Sequence, residues 1–489
     1  MTFANRFRSR VFGFLAPLAF SAPIQAQQGA DGARAVQPNV ILIMADDLGW
    51  ETLGAYGNEE YETPELDALA EEGVTFEYCF STPLCTPTRV MLMTGLYGHR
   101  NYRAFGQFPK EDEKRTIGNL MKEAGYATCM AGKWHVKGVE AGTMGFDRAM
   151  RAENWKSYWG TENIWVDDKK LKPGEAEKLF PGLEYRPDMV VKFITDFIDS
   201  NREQPFFVYF PMFLVHHPEM PTPDSADLEA FQADPEAWEL HEGTFEDMVK
   251  YMDKLVGQIV SHVEELGLRE NTIILFTGDN GTSLHRVEIE GETVGGGKGS
   301  MKDNGTRVPL VASWKGSGGP TGLMSDALVD FTDFFPTLAE AAGIPTRTVW
   351  RDGGDIDELR KESSDLSARP IATDGVSFLP VLQGKEAPLR EWAFMHYKGR
   401  NTGNWPVKSG AYWVRNDQYK LYGDGRMFEV ADWREQNPIE DNPEAASARE
   451  SLEAVFETLG ATPETIVSEE EEQAYKDKKK NARNNPPQE

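Results

Sequence analysis

The segment Asn39–Ala45, NVILIMA, is a nearly uninterrupted apolar run that ends directly at two aspartates. Such a run is typical of a strand buried on both faces within a parallel sheet, because a half-exposed strand would alternate polar and apolar residues. The same pattern recurs at Pro205–Pro211, PFFVYFP, and at Thr272–Thr277, TIILFT, which a Gly-Asp-Asn triplet follows. We therefore predict that these three segments are core strands.

Helical segments lie between these strands. Apolar residues recur at helical spacing in Thr63–Gly73, Thr116–Gly125 and Phe245–Gly267, and each stretch ends at a glycine. Strands that alternate with helices predict an α/β fold, a large mixed and mainly parallel β-sheet sandwiched by helices. In such a sheet the ligand site lies at the carboxyl ends of the strands, where polar residues collect in this sequence.

The chain divides into a leader, a main domain, a smaller subdomain and a tail. Residues 1–26 combine basic residues with a short apolar run, which predicts a signal peptide cleaved after Ala26 and a periplasmic or secreted protein. We assign residues 37–389 to a catalytic α/β domain. Because short strands are predicted after this domain, we assign residues 390–467 to an antiparallel-sheet subdomain with a helix. The charged residues 468–489 are predicted to be a disordered tail.

The charge balance excludes several classes of partner. The 489 residues include 79 acidic and 51 basic side chains, which gives a formal net charge of -28. A surface of this charge repels nucleic acid and anionic membranes, so neither is expected as a partner. A site for an anionic substrate would therefore need locally clustered lysines and arginines.

Cysteine is rare in this chain. Only Cys79, Cys85 and Cys129 occur, so disulfides are not expected to hold together an exported protein of this length. A single bridge between Cys79 and Cys129 is conceivable. The surroundings of Cys85 are the ones that indicate chemistry.

Two pairs of oxygen-donor residues follow predicted strands. Asp46 and Asp47 close the first strand, and Asp279 and Asn280 close the third. Carboxylate and amide oxygens suit a hard divalent cation, Ca²⁺ or Mg²⁺, rather than zinc. One such pair alone would more often be a turn or a helix cap, but two pairs at strand ends favour a metal site.

The segment 85–89, Cys-Thr-Pro-Thr-Arg, carries the strongest indication of function. A lone cysteine ahead of a proline-started helix is ordinarily a buried core residue. Here Arg89 falls one helical turn after Cys85, and a helix N-terminus favours an anion. The segment therefore predicts an anion-binding site next to a reactive side chain.

This stretch resembles the signature of the formylglycine-dependent sulfatases, type I enzymes of the alkaline phosphatase superfamily. In that signature the cysteine is oxidised to formylglycine (3-oxoalanine), and the usual fourth residue is Ser where this chain has Thr88. Residues 125–135 (GYATCMAGKWH), 295–309 (GGGKGSMKDNGTRVP) and 374–377 (DGVS) are similar to later blocks of the family. The resemblance runs from about Asn39 to Asn442 and implies an alkaline-phosphatase-like fold.

The resemblance also implies roles for named residues. A divalent metal, calcium in preference to magnesium, would be held by Asp46, Asp47, Asp279, Asn280 and the modified Cys85. Arg89 would fix the hydrated aldehyde, Lys133 would neutralise charge on it or on the sulfate, and His135 would be the base that releases sulfate. His216 and Lys298 would contact the sulfate and help to protonate the leaving alcohol.

Several residues are candidate substrate contacts on weaker grounds. The family pattern His-x-Pro selects His216 for the sulfate, which leaves His217 to pack or to touch substrate. Basic and imidazole side chains near the motif loops complete the set: Arg100, Arg103, His285 and Arg307.

The predicted function is hydrolysis of sulfate monoesters, with a sulfated small molecule or glycan as substrate. A formylglycine-generating enzyme would act on the chain during maturation. The enzymatic alternative is a phosphonate monoester or phosphodiester hydrolase, since some of these also use formylglycine. A different class of function, a non-catalytic binder of sulfated glycans, would apply if Cys85 were never oxidised.

Overall fold

The structure is a computed structural model. It describes residues 37–101, 108–136, 138–152, 158–234, 243–283, 285–289, 291–353, 370–397, 412–439 and 443–462. The predicted signal peptide, the predicted tail and Arg103 lie outside the described residues. Within the described ranges, no helix combines the length and the apolar character needed to cross a membrane.

Strands and helices alternate along the first two thirds of the chain. The strands are β1 Asn39–Ala45, β2 Val74–Phe80, β3 Ala127–Gly132, β4 Arg148–Ala152, β5 Ile164–Val166, β6 Lys169–Lys170, β7 Phe206–Pro211, β8 Thr272–Gly278, β9 Arg286–Ile289, β10 Glu292–Gly295, β11 Arg307–Val308, β12 Leu310–Ser313, β13 Leu323–Asp330, β14 Thr346–Thr348, β15 Ile371–Thr373, β16 Ala393–His396, β17 Tyr412–Arg415, β18 Tyr419–Tyr422 and β19 Met427–Glu429. The three core strands predicted from sequence are therefore β1, β7 and β8.

The helices connect these strands. They are α1 Pro64–Glu71, α2 Cys85–Thr94, α3 Gly98–Asn101, α4 Ile117–Glu123, α5 Ala176–Leu179, α6 Arg186–Asn201, α7 Leu228–Ala233, α8 Thr244–Glu265, α9 Asp303–Thr306, α10 Phe334–Ala341, α11 Val349–Asp352, α12 Leu379–Leu382 and α13 Pro443–Leu459. The helices α1, α4 and α8 confirm the three helical segments predicted from sequence.

The main sheet is mixed, with a parallel centre. Its strand order is β11-β2-β12-β8-β1-β7-β3-β4-β5-β6, and β13 pairs with β2 beyond this path. The five strands from β8 to β4 run parallel, whereas β12 runs antiparallel to both of its neighbours. The fold class predicted from sequence is confirmed.

The strand β1 supplies both cores of the main domain. Its residues Val40, Leu42 and Met44 belong to the core on one face of the sheet. The residues between them, Ile41, Ile43 and Ala45, belong to the core on the other face. Because side chains alternate across a strand, only a continuous apolar run can fill both layers.

The C-terminal subdomain is a small antiparallel sheet. Its strand order is β16-β17-β18-β19, and α13 packs on β17 and β18. Buried ion pairs join it to the main domain, because Arg415 Nη1 and Lys420 Nζ contact the Asp303 carboxylate at 3.2 and 3.0 Å. The smaller sheet predicted from sequence is confirmed.

The conceivable disulfide does not form. All three cysteines are free and buried. Cys79 lies on β2 and Cys129 on β3, and four strands separate β2 from β3 in the sheet. Strand spacing then puts the two residues roughly 24 Å apart, beyond the reach of a disulfide.

Candidate active site

The register of β1 and β8 brings the two oxygen-donor pairs together. These strands are parallel neighbours, with Ala45 opposite Gly278. The backbone N–H of Asp279 donates to the Ala45 carbonyl at 3.0 Å, and that of Asp47 donates to Asp279 Oδ1 at 3.1 Å. Asn280 Nδ2 donates to Asp47 Oδ1 at 2.9 Å. The four side chains therefore form one buried cluster at the carboxyl edge of the sheet.

Cys85 joins this cluster from the first position of α2. Its thiol and one carboxylate oxygen each of Asp46 and Asp279 lie within 4.8 Å of one another. Sγ is 3.1 Å from His135 Nδ1, and burial raises the pKa of the thiol to about 11. An unmodified Cys85 would therefore be a protonated thiol near neutral pH, which is a poor nucleophile.

Arg89 ties three segments of the site together. It lies one turn after Cys85 on α2 and is fully buried. Its Nη2 donates to Asp279 Oδ2 at 2.7 Å, and its Nη1 donates to the Lys133 carbonyl at 2.6 Å. The guanidinium therefore fixes the Asp279 loop and the Lys133 loop, and its predicted contact with a hydrated aldehyde stays a prediction.

Two lysines supply further positive charge. Lys133 Nζ contacts Asp46 Oδ2, and Lys298 Nζ lies 2.5 Å from Asp47 Oδ2. Burial alone would raise the pKa of Asp47, but Lys298 and then His216 hold that pKa below its ordinary value. The cluster thus combines three carboxylates with three cationic side chains, counting Arg89.

Gly132 allows β3 to bring Lys133 and His135 into the site. A Cβ at Gly132 would lie 1.9 Å from the Pro211 carbonyl oxygen, and the glycine has φ 133°. The next residue, Lys133, donates its backbone N–H to that same carbonyl at 2.7 Å. The close approach requires glycine at this position.

The two histidines of the site are both held neutral. Burial, followed by the charge of Lys133, lowers the pKa of His135 to about 2 and that of His216 to about 4. His216 Nε2 is 3.8 Å from Asp47 Oδ2, whereas His217 is exposed. The structure therefore brings His216, rather than His217, to the cluster.

The donor set fits a hard divalent cation. Asp46 Oδ1 and Asn280 Oδ1 are buried and have no hydrogen-bond partner among the described residues. A buried acceptor without a partner costs free energy unless a ligand completes it. Oxygen donors from Asp46, Asp47, Asp279 and Asn280 are those that Ca²⁺ and Mg²⁺ prefer.

Two of the predicted substrate contacts, Arg100 and Arg307, have partners outside the cluster. Arg100 Nη1 pairs with Asp374 at 2.6 Å, so its guanidinium supports the packing of the main domain. The Arg307 guanidinium lies 4.2 Å from the ring centroid of Trp50. Neither residue contacts the cluster through any interaction seen in the described ranges, and their role as substrate contacts stays a prediction.

His285 is half-exposed and has a partner that the sequence did not indicate. Its Nε2 lies 2.7 Å from Glu219 Oε1, and its ring stacks on Phe245 at 3.7 Å. Glu219 follows the His216 loop by three positions, so this pair connects that loop to the segment after Asn280. No spacing signal could have paired residues so far apart in the chain.

Tyr158 is a second residue that the sequence did not indicate. Its hydroxyl is buried, donates to the Phe213 carbonyl at 3.1 Å and also contacts the carbonyl of His216. The tyrosine thereby fixes the backbone that carries the His216 imidazole. It lies in a stretch without any recognisable motif.

Comparison with known proteins gives a consistent result. The sequence model of the sulfatase family matches residues 38–344. Human arylsulfatase A is 31% identical over 361 residues, 66% of this chain and 67% of that protein. Canine N-acetylgalactosamine-6-sulfatase is 31% identical over 404 residues, 76% of this chain and 70% of that protein.

A solved structure has a similar fold over most of the chain. Ps i-CgsB in complex with k-i-k-neocarrahexaose superposes with a TM-score of 0.66 at 23% identity, over 88% of this chain and 94% of the other. At this identity the likeness concerns the fold alone.

Proposed function

The chain belongs to the sulfatase family, and from that premise we propose that it is exported and cleaves sulfate esters of carbohydrates through a formylglycine formed from Cys85. As a member of the family it is a sulfuric ester hydrolase. Sulfatases generally use a formylglycine and a divalent metal. What we propose for this chain is the residue that is modified, the metal, the substrate class and the location.

One observation carries the proposal. The Cys85 thiol lies beside His135 Nδ1 and within 4.8 Å of the Asp46 and Asp279 carboxylate oxygens. A structural cysteine would not need a histidine and two carboxylates around it. This surrounding suits a group at position 85 that must be activated and then deprotonated.

The metal would be Ca²⁺, held by Asp46, Asp47, Asp279, Asn280 and the modified side chain at position 85. The acceptors of Asp46 and Asn280 that have no partner among the described residues support this assignment. When bound, the cation lowers the pKa of the nucleophile and polarises the sulfate group. Calcium is preferred to magnesium on the family resemblance alone.

The hydrate of a formylglycine at position 85 would supply one hydroxyl for attack on sulfur and a second whose deprotonation would expel sulfate and restore the carbonyl. His135 Nδ1 lies 3.1 Å from Cys85 Sγ, within hydrogen-bonding distance of position 85. Because His135 is neutral, this nitrogen is able to accept the proton of the second hydroxyl. Thr86 Oγ1, 3.4 Å from the His135 carbonyl, helps to hold that loop.

The charge balance of the site supports an anionic substrate. Three carboxylates face Arg89, Lys133 and Lys298 in the described cluster. A bound divalent cation would leave the cluster net positive, which attracts a sulfate ester although the whole chain carries -28. Lys133 and Lys298 would then neutralise charge on the sulfate oxygens.

The open side of the cluster is where the leaving group would lie. The side chains of His216 and Lys298 are 17% and 20% exposed, whereas Asp46 and Arg89 are fully buried. We therefore assign His216 and Lys298 to sulfate contact and to protonation of the leaving alcohol.

The proposed substrate is a sulfated carbohydrate met outside the cytoplasm. One relative is named for a sulfated amino sugar, and Ps i-CgsB was solved in complex with k-i-k-neocarrahexaose. The basic and apolar residues at the N-terminus support export. Maturation would require a formylglycine-generating enzyme as a partner.

The test is turnover by protein co-expressed with a formylglycine-generating enzyme. We expect release of sulfate from 4-nitrophenyl sulfate and from at least one sulfated sugar in a panel, and none from the Cys85→Ala variant. Faster turnover of a matched phenyl phosphonate ester would favour the phosphonate hydrolase instead. Binding of sulfated glycans without any turnover would favour the non-catalytic binder. Export is checked separately, by the N-terminal residue of protein recovered from the periplasm or medium.

A further inference from the structure

A cleft of about 450 Å³ lies next to the active-site loops, where the β9–β10 hairpin meets the chain after β19. Ser283 lines this cleft and follows the metal-site residue Asn280 by three positions. Gly296 also lines it, precedes Lys298 by two positions and donates its N–H to the His285 carbonyl at 2.7 Å. The cleft is therefore built on the same two loops that carry Asn280 and Lys298.

The charge of this cleft is opposite to that of the chain. Arg286, Lys302 and Arg434 line it, and no carboxylate from the described residues does so. Because the formal charge of the whole protein is -28, a local group of three cations stands out from its surroundings. Such a group attracts anions into a surface that otherwise repels them.

Two of the cations are held in place by neighbouring groups. The Arg434 guanidinium lies 4.5 Å from the Trp433 ring centroid, and its Nη2 donates to the Thr293 carbonyl at 2.9 Å. Lys302 Nζ donates to the Arg434 carbonyl. Both side chains thus lose little further freedom when they bind a ligand, which favours affinity.

The charges of the cleft remain available to a ligand. Arg434 Nη1 also pairs with Glu292 at 3.1 Å, but both side chains are more than a third exposed, so water and salt screen this pair. The Arg286 side chain is exposed and forms no hydrogen bond or ion pair that we observe in the described ranges. Its guanidinium retains donors that fit a sulfate or carboxylate in a bidentate manner.

We propose that this cleft is a second anion-binding subsite, which holds a sulfate or carboxylate on a sugar unit next to the one whose ester is cleaved. The proposal rests on the proposed function, and it makes the substrate a polyanionic oligosaccharide rather than a singly sulfated sugar. Arg286, Lys302 and Arg434 are the recognition residues. They lie outside the catalytic cluster, so they determine which glycan binds and leave the chemistry at position 85 unchanged.

Binding is measured by calorimetry with the full chain carrying Cys85→Ala, so that no turnover occurs. The probes are a mixed carrageenan hexasaccharide (sulfated, without carboxylates) and a chondroitin 6-sulfate hexasaccharide (sulfated, with carboxylates), each beside its chemically desulfated counterpart. We expect at least one sulfated probe to bind more tightly than its counterpart. Arg286→Gln and Arg434→Gln, each added to that chain, should weaken this binding by about tenfold, since each removes a charge-assisted hydrogen bond to the anion.

Arg202→Gln is the matched control. Arg202 is exposed just after α6, and its substitution changes the net charge by the same amount as each cleft variant. It should leave the affinity within twofold. In chains that retain Cys85, Arg286→Gln should also leave the turnover of 4-nitrophenyl sulfate within twofold, since that small ester does not reach the cleft.

The outcomes separate the two proposals. Equal loss of affinity in Arg202→Gln and Arg286→Gln, or unchanged affinity in both cleft variants, would overturn the second subsite. If the cleft variants weaken the binding of desulfated chondroitin as much as that of chondroitin 6-sulfate, the group bound in the cleft is the carboxylate. Absence of aryl-sulfate turnover in the parent protein would count against the proposed function, while the calorimetry would still decide on the cleft.

Discussion

Two buried ionic clusters in this protein look alike in composition and differ in how completely their groups are paired. The first, which we call the catalytic cluster, comprises Asp46, Asp47, Cys85, Arg89, Lys133, Asp279, Asn280 and Lys298. The second, which we call the Arg390 network, comprises Tyr97, Asp330, Thr332, Asp333 and Arg390. Apart from Lys298, whose side chain is 20% exposed, the residues of both clusters are almost inaccessible to water.

In the Arg390 network the polar atoms are paired. Arg390 donates from Nε to Asp333 at 2.9 Å, and its Nη1 lies 3.0 Å from Asp330 Oδ2. The other oxygens of the two aspartates accept backbone N–H groups, including that of Val376 at 2.7 Å. Such a network stabilises a fold and has no capacity left for a ligand.

In the catalytic cluster the pairing is incomplete. Asp46 Oδ1, Asn280 Oδ1 and Arg89 Nε are buried, and none of them has a hydrogen-bond partner in the part of the chain that the structure describes. The same kinds of residue therefore serve structure in one place and leave room for a ligand in the other. Between these two clusters, it is the unsatisfied acceptors, rather than the buried charge, that distinguish the functional site.

The largest expected effect is the loss of activity when a residue of the catalytic cluster is replaced. Cys85→Ala should lower sulfate-ester turnover by about 10⁴-fold or more, because it removes the proposed nucleophile. The melting temperature should stay within about 3 °C, since a small side chain is replaced by a smaller one at an edge of the core. Sulfate release and thermal unfolding are measured on the same preparation. Residual turnover above a hundredth of the parent rate would contradict the assignment.

The second prediction concerns stability. Arg390→Met should lower the free energy of unfolding by about 3–5 kcal/mol, since it leaves two buried carboxylates without their cation. Urea unfolding measures this loss, and the turnover per folded molecule should not change. Arg426→Gln is the control, because Arg426 pairs with Asp424 at the surface, where such a pair contributes about 0–1 kcal/mol. Equal shifts in both variants would show that the network is not structural.

The third prediction distinguishes the two adjacent histidines. His216→Ala should lower turnover of a sulfated substrate by about 10²-fold or more, as expected for a residue that aids proton transfer. His217→Ala should change it by less than about tenfold, since His217 is exposed and His216 is the one near Asp47. Steady-state kinetics on both variants decide the matter. A larger loss in His217→Ala would reverse the assignment.

The fourth prediction tests whether the catalytic cluster, with its incompletely paired oxygens, binds a metal ion that the Arg390 network does not bind. Added Ca²⁺ should stabilise the parent protein by about 2.7 kcal/mol at a hundredfold excess over its Kd, because only the folded state binds it. Asp46→Asn should abolish this response. Asp333→Asn should lower the stability but keep the response, since Asp333 belongs to the Arg390 network. Unfolding with and without a chelator tests all three proteins, and a response that survives Asp46→Asn would remove the metal site from this position.

Much of this fold could be predicted because the signals are local. The apolar run of β1 and the helix starting at Pro64 need only neighbouring residues to be recognised, and both were placed correctly. The meeting of the two oxygen-donor pairs followed from parallel strands ending at one edge. Family resemblance then named Cys85 and its neighbours.

The rest depends on packing that no local pattern encodes. The antiparallel β12 lies between β2 and β8, and its short sequence carries no sign of direction. The ion pair of Arg89 Nη2 with Asp279 Oδ2, at 2.7 Å, joins residues 190 positions apart and had no local signal. The partner of His285 is Glu219, 66 positions earlier in the chain. Distances between residues so far apart are set by the whole sheet.

The central claim is that the residue at position 85 becomes a formylglycine. The most direct measurement is the mass of the tryptic peptide Ala35–Arg89 from protein co-expressed with a formylglycine-generating enzyme, since no lysine or arginine interrupts that stretch. We predict the mass of the aldehyde or its hydrate, in a fraction that rises with the specific activity across preparations. Unmodified cysteine in a preparation that still releases sulfate would contradict the claim.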